Sequence, residues 1–342
     1  MTHAIWRAAL AGCMRHIPPL ILAATGLSAL ADAAAPPVFT APERALIKQF
    51  GPWPADLPPD AGNAFSGLAW AETLGQQLFN DTRLSGNGRL ACATCHQAVR
   101  GFSDGLPTAL GTAPHTRNTQ GLLNVGQQRW FGWDGGTDSL WAASLRPILS
   151  DIEMAADIET VASRFRDDHV VARALATARP RLNPDDMTSE ELVVTLAKAI
   201  GAYTRTLQSP ATAFDAFRTA LERDDIDAQA RYPLDAQRGL KTFIGAGRCF
   251  VCHSGPLFSN GEFHDIGRPF FTGVGQVDPG RYTGIQRVRA DTFNLLGIYN
   301  TTHRDFEAQK TASVTLGQVN FGQWRTPSLR NLKLTAPYMH DG

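Results

Sequence analysis

The sequence predicts a mainly α-helical protein made of two similar halves, and three observations carry this prediction. The pentapeptides 92–96 and 249–253 share the pattern C-x-x-C-H. Several segments have apolar residues spaced by three or four positions, as amphipathic helices require. No segment alternates apolar and polar residues over more than a few positions, so extended sheets are not expected.

The repeated pattern is the attachment signal of a c-type haem. Two thiols must reach the two vinyl groups of one porphyrin, and the next residue must offer an imidazole to the iron. A zinc ribbon would separate its Cys pairs by only about 15–20 residues, a thioredoxin-type pair does not need the histidine, and disulfide frameworks belong to small Cys-dense chains. Two covalent haems are therefore expected. Their attachment residues are Cys92, Cys95 and His96 for the first and Cys249, Cys252 and His253 for the second, the histidines being the iron ligands.

Composition excludes some functional classes. The 342 residues include 32 basic and 32 acidic side chains, and 43% of the residues are hydrophobic. The net charge is therefore close to zero, and no cluster of basic residues along the sequence suggests nucleic-acid binding. No run of 18 apolar residues predicts a membrane span.

Residues 1–35 are predicted to be an export signal. Arg15 precedes an apolar run from Ile17 to Ala31, and small residues follow as far as Ala35. A Leu-Ala-Gly-Cys box ending at Cys13 resembles a lipoprotein site, but the apolar segment before it is too short. Cleavage near residue 35 leaves four cysteines, all in the two motifs. Because c-type haem is attached outside the cytoplasm, a periplasmic location is expected.

The elements of the remaining chain are taken in order. Residues 36–65 are rich in Pro, Ala and Gly and predict an irregular lead-in, followed by haem domains over 66–208 and 209–342. Long loops are expected over 97–136 and 254–323, wrapped around the cofactors. The helices are predicted, in chain order, over Ala69–Phe79, Ser139–Ile148, Ile158–Thr177, Glu190–Leu207 and Asp235–Ile244.

Six longer motifs follow one another around these elements. They are Leu78–Gly86 before the first C-x-x-C-H, Phe131–Gly136, Arg146–Ile148 with Glu153-Met154, Gln237–Leu240, Arg325–Asn331 and Leu334–Gly342. Together they resemble the di-haem cytochrome c peroxidase and MauG family over roughly residues 66–342. The resemblance implies two cytochrome c-like domains, with peroxide reacting at the N-terminal haem and electrons relayed from the C-terminal haem.

The same resemblance implies roles for the catalytic residues. Trp133 matches a tryptophan between the haems; without the resemblance it would be interpreted as a core aromatic. Glu153 matches a distal acid–base group, with Pro147 in the same pocket; the alternative is a solvated glutamate at a helix start. Cleavage of the O–O bond needs a proton moved from the inner to the outer oxygen, and one carboxylate near the iron can do both halves.

Further residues are implied to bind charged groups. Arg325 and His340 match residues at the haem edges and are expected to contact the propionates. Asn118, through its side-chain oxygen, and Thr335 and Pro337, through their carbonyls, match a calcium site between the domains, with oxygen ligands that suit this cation. Asn118 alone would be interpreted as a turn residue.

Three departures from the family pattern matter. Ala143 stands where a glutamine is often found near the distal pocket, so a hydrogen bond is lost. Thr112 stands where peroxidases that need reductive activation carry a histidine, and His115, three residues on, is expected at the surface. The first haem is therefore expected to be five-coordinate without prior reduction. The sixth ligand of the second haem is expected beyond Gly342, as a methionine rather than a tyrosine, which makes the chain as given a truncated one; Met339 is the nearby substitute.

Three functions remain open at this point. The first is a periplasmic peroxidase that reduces hydrogen peroxide with electrons from a small cytochrome c or copper protein. The second is a MauG-type oxidase that modifies aromatic residues of a partner protein. The third is a non-catalytic electron-transfer cytochrome, against which Glu153 argues because such a carrier needs no acid–base group. A homodimer is compatible with the family.

Overall fold

The computed structural model describes residues 36–60, 62–178, 180–268, 271–300 and 305–342, and the predicted export signal lies outside these ranges. The predicted helical class is confirmed. The helices are α1 Ala41–Lys48, α2 Ala69–Phe79, α3 Cys92–Cys95, α4 Leu140–Leu149, α5 Ile158–Phe165, α6 His169–Ala176, α7 Ser189–Arg205, α8 Ala213–Glu222, α9 Ile226–Ala230, α10 Leu234–Ile244, α11 Arg281–Ala290 and α12 Asp305–Ser313. Across these ranges, no helix combines the length and apolarity needed to cross a membrane.

In the described part of the chain, the β-strands form two short antiparallel pairs. β1 (Phe263–Asp265) pairs with β4 (Gln323–Arg325), and β2 (Phe271–Gly273) pairs with β3 (Gln276–Val277). The first pair brings the end of the chain back beside the segment that follows the second C-x-x-C-H motif. The predicted absence of long strands is therefore consistent with the structure.

The first core is built around α7. Its start is fixed by a capping box, in which Glu191 N donates to the Thr188 hydroxyl at 3.2 Å and Thr188 N donates to the Glu191 carboxylate at 2.8 Å. α7 packs against α2, α4 and α5. Two glycines allow this closeness, because a Cβ at Gly75 would lie 2.0 Å from a backbone oxygen of α7 and one at Gly201 would lie 3.1 Å from the α4 backbone. Its large buried members include Leu74, Leu78, Trp141, Leu145, Phe165, Leu192 and Leu196.

One predicted helix is two. The segment 158–177 breaks between α5 and α6 because the Asp168 carboxylate accepts hydrogen bonds from Val170 N at 2.8 Å and Val171 N at 3.1 Å. A carboxylate in this position satisfies the free N–H groups of a new helix start. The apolar periodicity continues across the break, which is why the sequence alone predicted a single helix.

The predicted irregular lead-in is corrected, because it contains α1. A capping box between Thr40 and Glu43 begins this helix, and Ile47 and Phe50 are fully buried. They belong to the second core, with Phe217, Leu221, Leu240 and Ile244. Eight residues among prolines give too little periodicity to predict a helix, so packing decides its formation.

Helices α1 and α8 also cap one another. Arg218 Nε donates to the carbonyl of Lys48 at 2.9 Å, at the end of α1. Arg44 Nη2 donates to the carbonyl of Leu221 at 2.6 Å, at the end of α8, and also pairs with Asp224. Cations at helix C-termini satisfy free carbonyls and complement the helix dipole. The start of the chain is thus an integral part of the second half.

A segment of the second half in turn packs on the first core. Phe293 and Tyr299 are partly buried against it. The Asp138 carboxylate accepts from Leu295 N at 2.9 Å and from the Thr311 hydroxyl at 2.6 Å. The predicted long loop over 254–323 is corrected accordingly, since it contains α11 and α12; α11 buries Arg281 as well as apolar residues, which masks its periodicity.

Candidate functional site

The first C-x-x-C-H motif forms the single turn α3 and its exit. Ala91 N donates to the Thr94 hydroxyl at 2.9 Å, which starts the turn. Cys92 and Cys95 are free thiols, and both line a cavity of about 430 Å³ together with His96. Burial raises the pKa of Cys92 to about 12 and also raises that of Cys95, so both are neutral thiols. The three groups needed for one covalent haem therefore face one cavity.

The His96 ring is oriented for metal binding. Its Nδ1 lies 2.8 Å from the carbonyl oxygen of Phe102, which fixes Nδ1 as the donor and leaves Nε2 for iron. Burial lowers the pKa of His96 more than the Phe102 carbonyl raises it, so the ring is neutral as a ligand must be. These residues fit a c-type haem.

The second motif repeats this arrangement. Residues 249–251 form one 3-10 turn, and Cys249 and Cys252 are free thiols. The Nδ1 atom of His253 lies 2.9 Å from the carbonyl oxygen of Phe258. In both motifs the histidine Nδ1 atom therefore faces a backbone carbonyl, which leaves Nε2 for a metal. Attachment of a haem at each motif stays a prediction.

The structure brings the predicted catalytic residues to the first cavity. Glu153, Trp133 and Pro147 all line it. So does Ala143, which stands where the family often has a glutamine. Pro147 lies within α4 and its carbonyl accepts from Met154 N at 3.0 Å, which folds the following turn back onto the helix. This turn places Glu153 at the cavity. Their shared location is a structural finding, while their roles stay predictions.

The Glu153 carboxylate lies beside a cation and an imidazole ring. Its Oε1 is 2.9 Å from Arg146 Nη2 and 4.0 Å from His115 Nε2. Oε1 is buried and has no hydrogen-bond partner of good geometry, so the contact with Arg146 is ionic rather than a directed hydrogen bond. The carboxylate is half-buried, with 22% of the side chain exposed. Sequence reasoning did not single out Arg146 for this contact, although it stands in one of the quoted motifs.

The loop after the first motif is tied to Glu153 by its backbone. Thr112 donates from its N–H at 2.8 Å and from its hydroxyl at 2.6 Å to the Glu153 carbonyl, and Ala113 N donates to the Ile152 carbonyl at 3.1 Å. A Cβ at Gly111 would lie 2.4 Å from the Ile152 oxygen, so only glycine permits this approach. Thr112 thus helps to hold the turn that carries Glu153.

The expectation that His115 is a surface residue is wrong. Its side chain is 18% exposed and lines the cavity. Arg117 N donates to Nδ1 at 2.9 Å, so a neutral ring carries its proton on Nε2, on the side of Glu153. The pKa of His115 is lowered, chiefly by burial and against the effect of Glu153. The backbone pairing of residues 111–113 turns this side chain inward, and no sequence pattern marks such a loop.

Trp133 connects the cavity to the end of the chain. Its indole Nε1 donates to the Asn118 carbonyl at 2.8 Å, and its own carbonyl accepts from Arg325 N at 2.9 Å. Asn118 N donates to the His340 carbonyl at 2.8 Å. Trp133, predicted between the haems, Asn118, predicted at a calcium site, and Arg325 and His340, predicted at the haem edges, are therefore joined in one continuous seam.

A buried charge network borders this seam, and sequence reasoning missed it. Arg117 binds Asp278 through Nε and Nη2, each at 2.7 Å, and Asp134 through Nη1 at 2.6 Å. Arg287 adds a contact to Asp134 at 3.1 Å. Burial alone would raise the pKa of Asp134, but Arg117 and Arg287 outweigh it and hold that pKa at about 2. Asp134 stands in the quoted Phe131–Gly136 motif, which was the available signal.

Arg325 and His340 are both buried. Burial lowers the pKa of Arg325 to about 10, against the attraction of Asp134, and its Nε donates to the Gly132 carbonyl at 3.1 Å. The His340 ring stacks on Trp324, with centroids 3.7 Å apart and planes at 14°. His340 Nδ1 is buried without a hydrogen-bond partner in the described part of the chain. A cationic group and an unsatisfied polar nitrogen are compatible with haem carboxylates as partners.

The chain segments that carry Asn118 and Thr335 approach one another. The Asn118 side chain donates from Nδ2 to the Leu106 carbonyl at 2.8 Å, which leaves its Oδ1 for a cation. A Cβ added at Gly101 or at Gly121 would lie 3.0 Å from Thr335 Cγ2. The Thr335 loop therefore packs against the Asn118 segment. Within the described ranges, no group of three or more His, Cys, Asp or Glu side chains is arranged to hold a metal ion. The predicted site uses amide and backbone oxygens instead, and calcium stays a prediction.

Comparison with known proteins agrees with this geometry. Residues 70–223 match the family model of di-haem cytochrome c peroxidases. The chain is 31% identical over 283 residues to cytochrome-c peroxidase IdrP2 of Denitromonas iodatirespirans, covering 82% of this chain and 71% of that protein. It is 32% identical over 273 residues to the methylamine utilization protein MauG of Methylorubrum extorquens, covering 79% and 64%. The crystal structure of a MauG-like protein associated with microbial copper homeostasis aligns with a TM-score of 0.59 at 26% identity, covering 85% of this chain and 78% of that one.

Proposed function

Because the chain belongs to the di-haem cytochrome c peroxidase and MauG family, we propose that it is an exported di-haem peroxidase. It reduces hydrogen peroxide to water with electrons from a small cytochrome c or copper protein. The observation that carries the proposal is the position of Glu153, on the same cavity as His96. The export signal over residues 1–35 and a periplasmic location are part of the proposal.

The chain supplies the ligands and the proton transfer. Haems bound at His96 and His253 supply the iron chemistry and electron storage. Glu153 accepts the proton of the inner peroxide oxygen and returns it to the outer one, so that water leaves. Arg146 and His115 orient the carboxylate through Oε1, the oxygen that both residues approach.

The seam between the halves is proposed to connect the two sites. Trp133 passes electrons from the second haem to the first, and its indole is held by the Asn118 carbonyl. Arg325 and His340 bind propionates. A calcium ion held by Asn118, Thr335 and Pro337 fixes the two loops that meet at the His340 carbonyl.

The steady-state test uses purified holoprotein, hydrogen peroxide and a reduced small cytochrome c or copper protein. Oxidation of the donor in a two-to-one ratio to peroxide, dependent on the holoprotein, is the expected result. A MauG-type reaction is the second candidate, favoured by the 32% identity to a MauG protein. Peroxide-dependent modification of aromatic residues in a partner protein, without donor turnover, would identify that reaction instead. Electron exchange without either reaction would leave the electron-transfer cytochrome.

The first prediction concerns haem number. The mature holoprotein should retain two haems per chain after acid–acetone extraction, because each is held by two thioethers. The double variant Cys249→Ser/Cys252→Ser should retain one, and the matched variant Cys92→Ser/Cys95→Ser should retain the other. Pyridine haemochrome absorbance against protein concentration gives the count. Loss of both haems on extraction of the unaltered protein would refute covalent attachment.

The second prediction concerns activation. Thr112 stands at the position of the activating histidine, so the fully oxidised protein should react with peroxide without prior reduction, and His115→Ala should leave its oxidised spectrum unchanged. Electron paramagnetic resonance of the oxidised protein should show a high-spin signal from the first haem. The contrary result would be two low-spin haems in the unaltered protein and one low-spin and one high-spin haem in His115→Ala. It would identify His115 as an iron ligand.

A further inference from the structure

Two phenylalanines carry the acceptors for the proximal histidines, and both have left-handed backbones. Phe102 has φ 61° and Phe258 has φ 52°, and their carbonyls accept from the Nδ1 atoms of His96 and His253. This conformation is uncommon for a bulky residue and persists only where the surroundings impose it. Whatever holds each phenylalanine therefore also fixes the hydrogen bond to its histidine.

The two loops are held differently. In the first, the Phe102 ring contacts Phe79 with centroids 6.1 Å apart, and the Ser103 hydroxyl donates to the Arg100 carbonyl at 2.9 Å. These contacts are local in the chain or made with the adjoining helix α2. The contacts of the second loop include one from a buried arginine.

The second loop is held from outside itself. The Phe258 ring stacks on Phe50 at 4.9 Å and meets Phe214 edge-on at 5.0 Å. Two carbonyls immediately before it accept side-chain donors, Leu257 from the Ser328 hydroxyl and Pro256 from Arg330 Nε, each at 2.6 Å. The loop that presents the Phe258 carbonyl is thus clamped by residues more than 70 positions away in the sequence.

Arg330 is itself fixed by a buried partner. Its Nη2 and Nη1 atoms donate to the two oxygens of Asp215 at 2.8 and 3.1 Å, and only 4% and 5% of the two side chains are exposed. The guanidinium also lies over the Trp53 ring at 3.7 Å. Asp215 belongs to α8 and accepts from Thr212 N at 2.7 Å, so it cannot shift easily. The planar fork of arginine binds the carboxylate and still has Nε free for Pro256.

We propose that Arg330 and Asp215 are positioning residues that set the reduction potential of the second haem through the hydrogen bond between His253 and Phe258. A carbonyl that accepts from Nδ1–H makes the imidazole a stronger donor to iron, which stabilises the ferric state. The reaction is the one-electron reduction of ferric to ferrous iron by the added reductant, and His253 keeps its proton. Loosening the brace weakens the hydrogen bond, favours ferrous iron and raises the potential.

The test substitutes Arg330→Lys in the holoprotein. A lysine keeps the charge opposite Asp215, but one ammonium cannot make the paired contact and also reach the Pro256 carbonyl. Spectroelectrochemical titration should resolve two midpoint potentials, of which one rises. Mutation of a group that hydrogen-bonds a metal ligand typically changes metal affinity or activity by about 10-fold or more. We therefore expect the ferrous-to-ferric ratio at a fixed potential to rise about tenfold. For a one-electron couple this corresponds to an increase of about 59 mV in the midpoint potential.

Two further variants assign the effect. Ser103→Ala is the control, because it removes a hydroxyl from the first loop. It should not change the midpoint potential that rises in Arg330→Lys. Ser328→Ala removes the contact to Leu257 and the acceptor of Arg330 N. It leaves the contacts of the Arg330 guanidinium in place, so it should raise the same midpoint by less. Unchanged midpoints in Arg330→Lys, or equal shifts of both, would overturn the proposal; if that variant does not assemble, the same criterion applies to Ser328→Ala. The measurement needs haem at the second motif but no peroxide turnover, so it is independent of the proposed reaction.

Discussion

Replacing Glu153 by glutamine is expected to lower peroxide turnover by about 100- to 10,000-fold, the range for a general acid–base group. Glutamine keeps the size and hydrogen-bonding capacity of the side chain but cannot accept and return a proton. Both haem spectra should stay native, because the Thr112 contacts to the Glu153 carbonyl involve only the backbone of residue 153. Stopped-flow reaction of the holoprotein with peroxide measures the loss.

The matched control for this variant is Asp151→Asn, in the same turn. Asp151 is exposed and does not line the cavity, so turnover should stay within about twofold of the unaltered protein, a shift of less than about 0.5 kcal/mol. Equal losses in both variants would mean that the turn, rather than the carboxylate, is being disturbed. Unchanged turnover in Glu153→Gln would make Glu153 a surface acid and leave the peroxidase without its proton carrier.

Replacing Asp134 by asparagine is expected to destabilise the holoprotein by about 3 kcal/mol, the lower end of the range for breaking a buried ion pair. The variant leaves Arg117 and Arg287 without this carboxylate, although Arg117 keeps Asp278. Urea unfolding of the holoprotein at pH 7, followed by far-UV circular dichroism, measures the change. Asp235→Asn is the control, because 96% of the Asp235 side chain is exposed beside Arg238, and it should cost less than about 0.5 kcal/mol.

The contribution of Asp134 to the free energy of unfolding should depend on pH. The pKa of Asp134 falls from 3.8 to about 2 on folding, so its stabilisation is fully present above about pH 4 and is lost as the pH falls towards 2. The difference in unfolding free energy between the unaltered protein and Asp134→Asn should shrink over that window. A difference that stays constant down to pH 2 would mean that Asp134 is not ionised in the network.

Local signals predicted much of the fold. The bounds of α2 were predicted as observed, and α7 was predicted to within about two residues, because both carry apolar periodicity and α7 has the Thr188 capping box. Those signals lie within one element. Helix α1 has few periodic positions, and its stability comes from Phe217 and Leu240, which lie far along the chain. No local pattern contains that information.

The candidate site divides in the same way. The residues predicted to hold the first haem and Glu153 stand in motifs, so their meeting at one cavity could be anticipated. The pairing of Arg117 with Asp278 joins residues separated by 161 positions, and the inward turn of His115 depends on backbone bonds of its neighbours. The left-handed conformations of Phe102 and Phe258 have no composition signal at all, because phenylalanine does not favour them.

Helix α1 gives the fold an unusually non-local topology. Contacts of residues 38–48 with helices α8 and α10 close loops of 170 to 203 residues, as in the bonds from Arg218 to Lys48 and from Lys241 to Val38. Such closures slow folding, because the entropic cost of closing the loop comes before the contacts that offset it. A fragment starting at residue 209 lacks Ile47 and Phe50 and has an open apolar face around Phe258, so cutting the sequence between its two haem motifs does not yield two independent folding units.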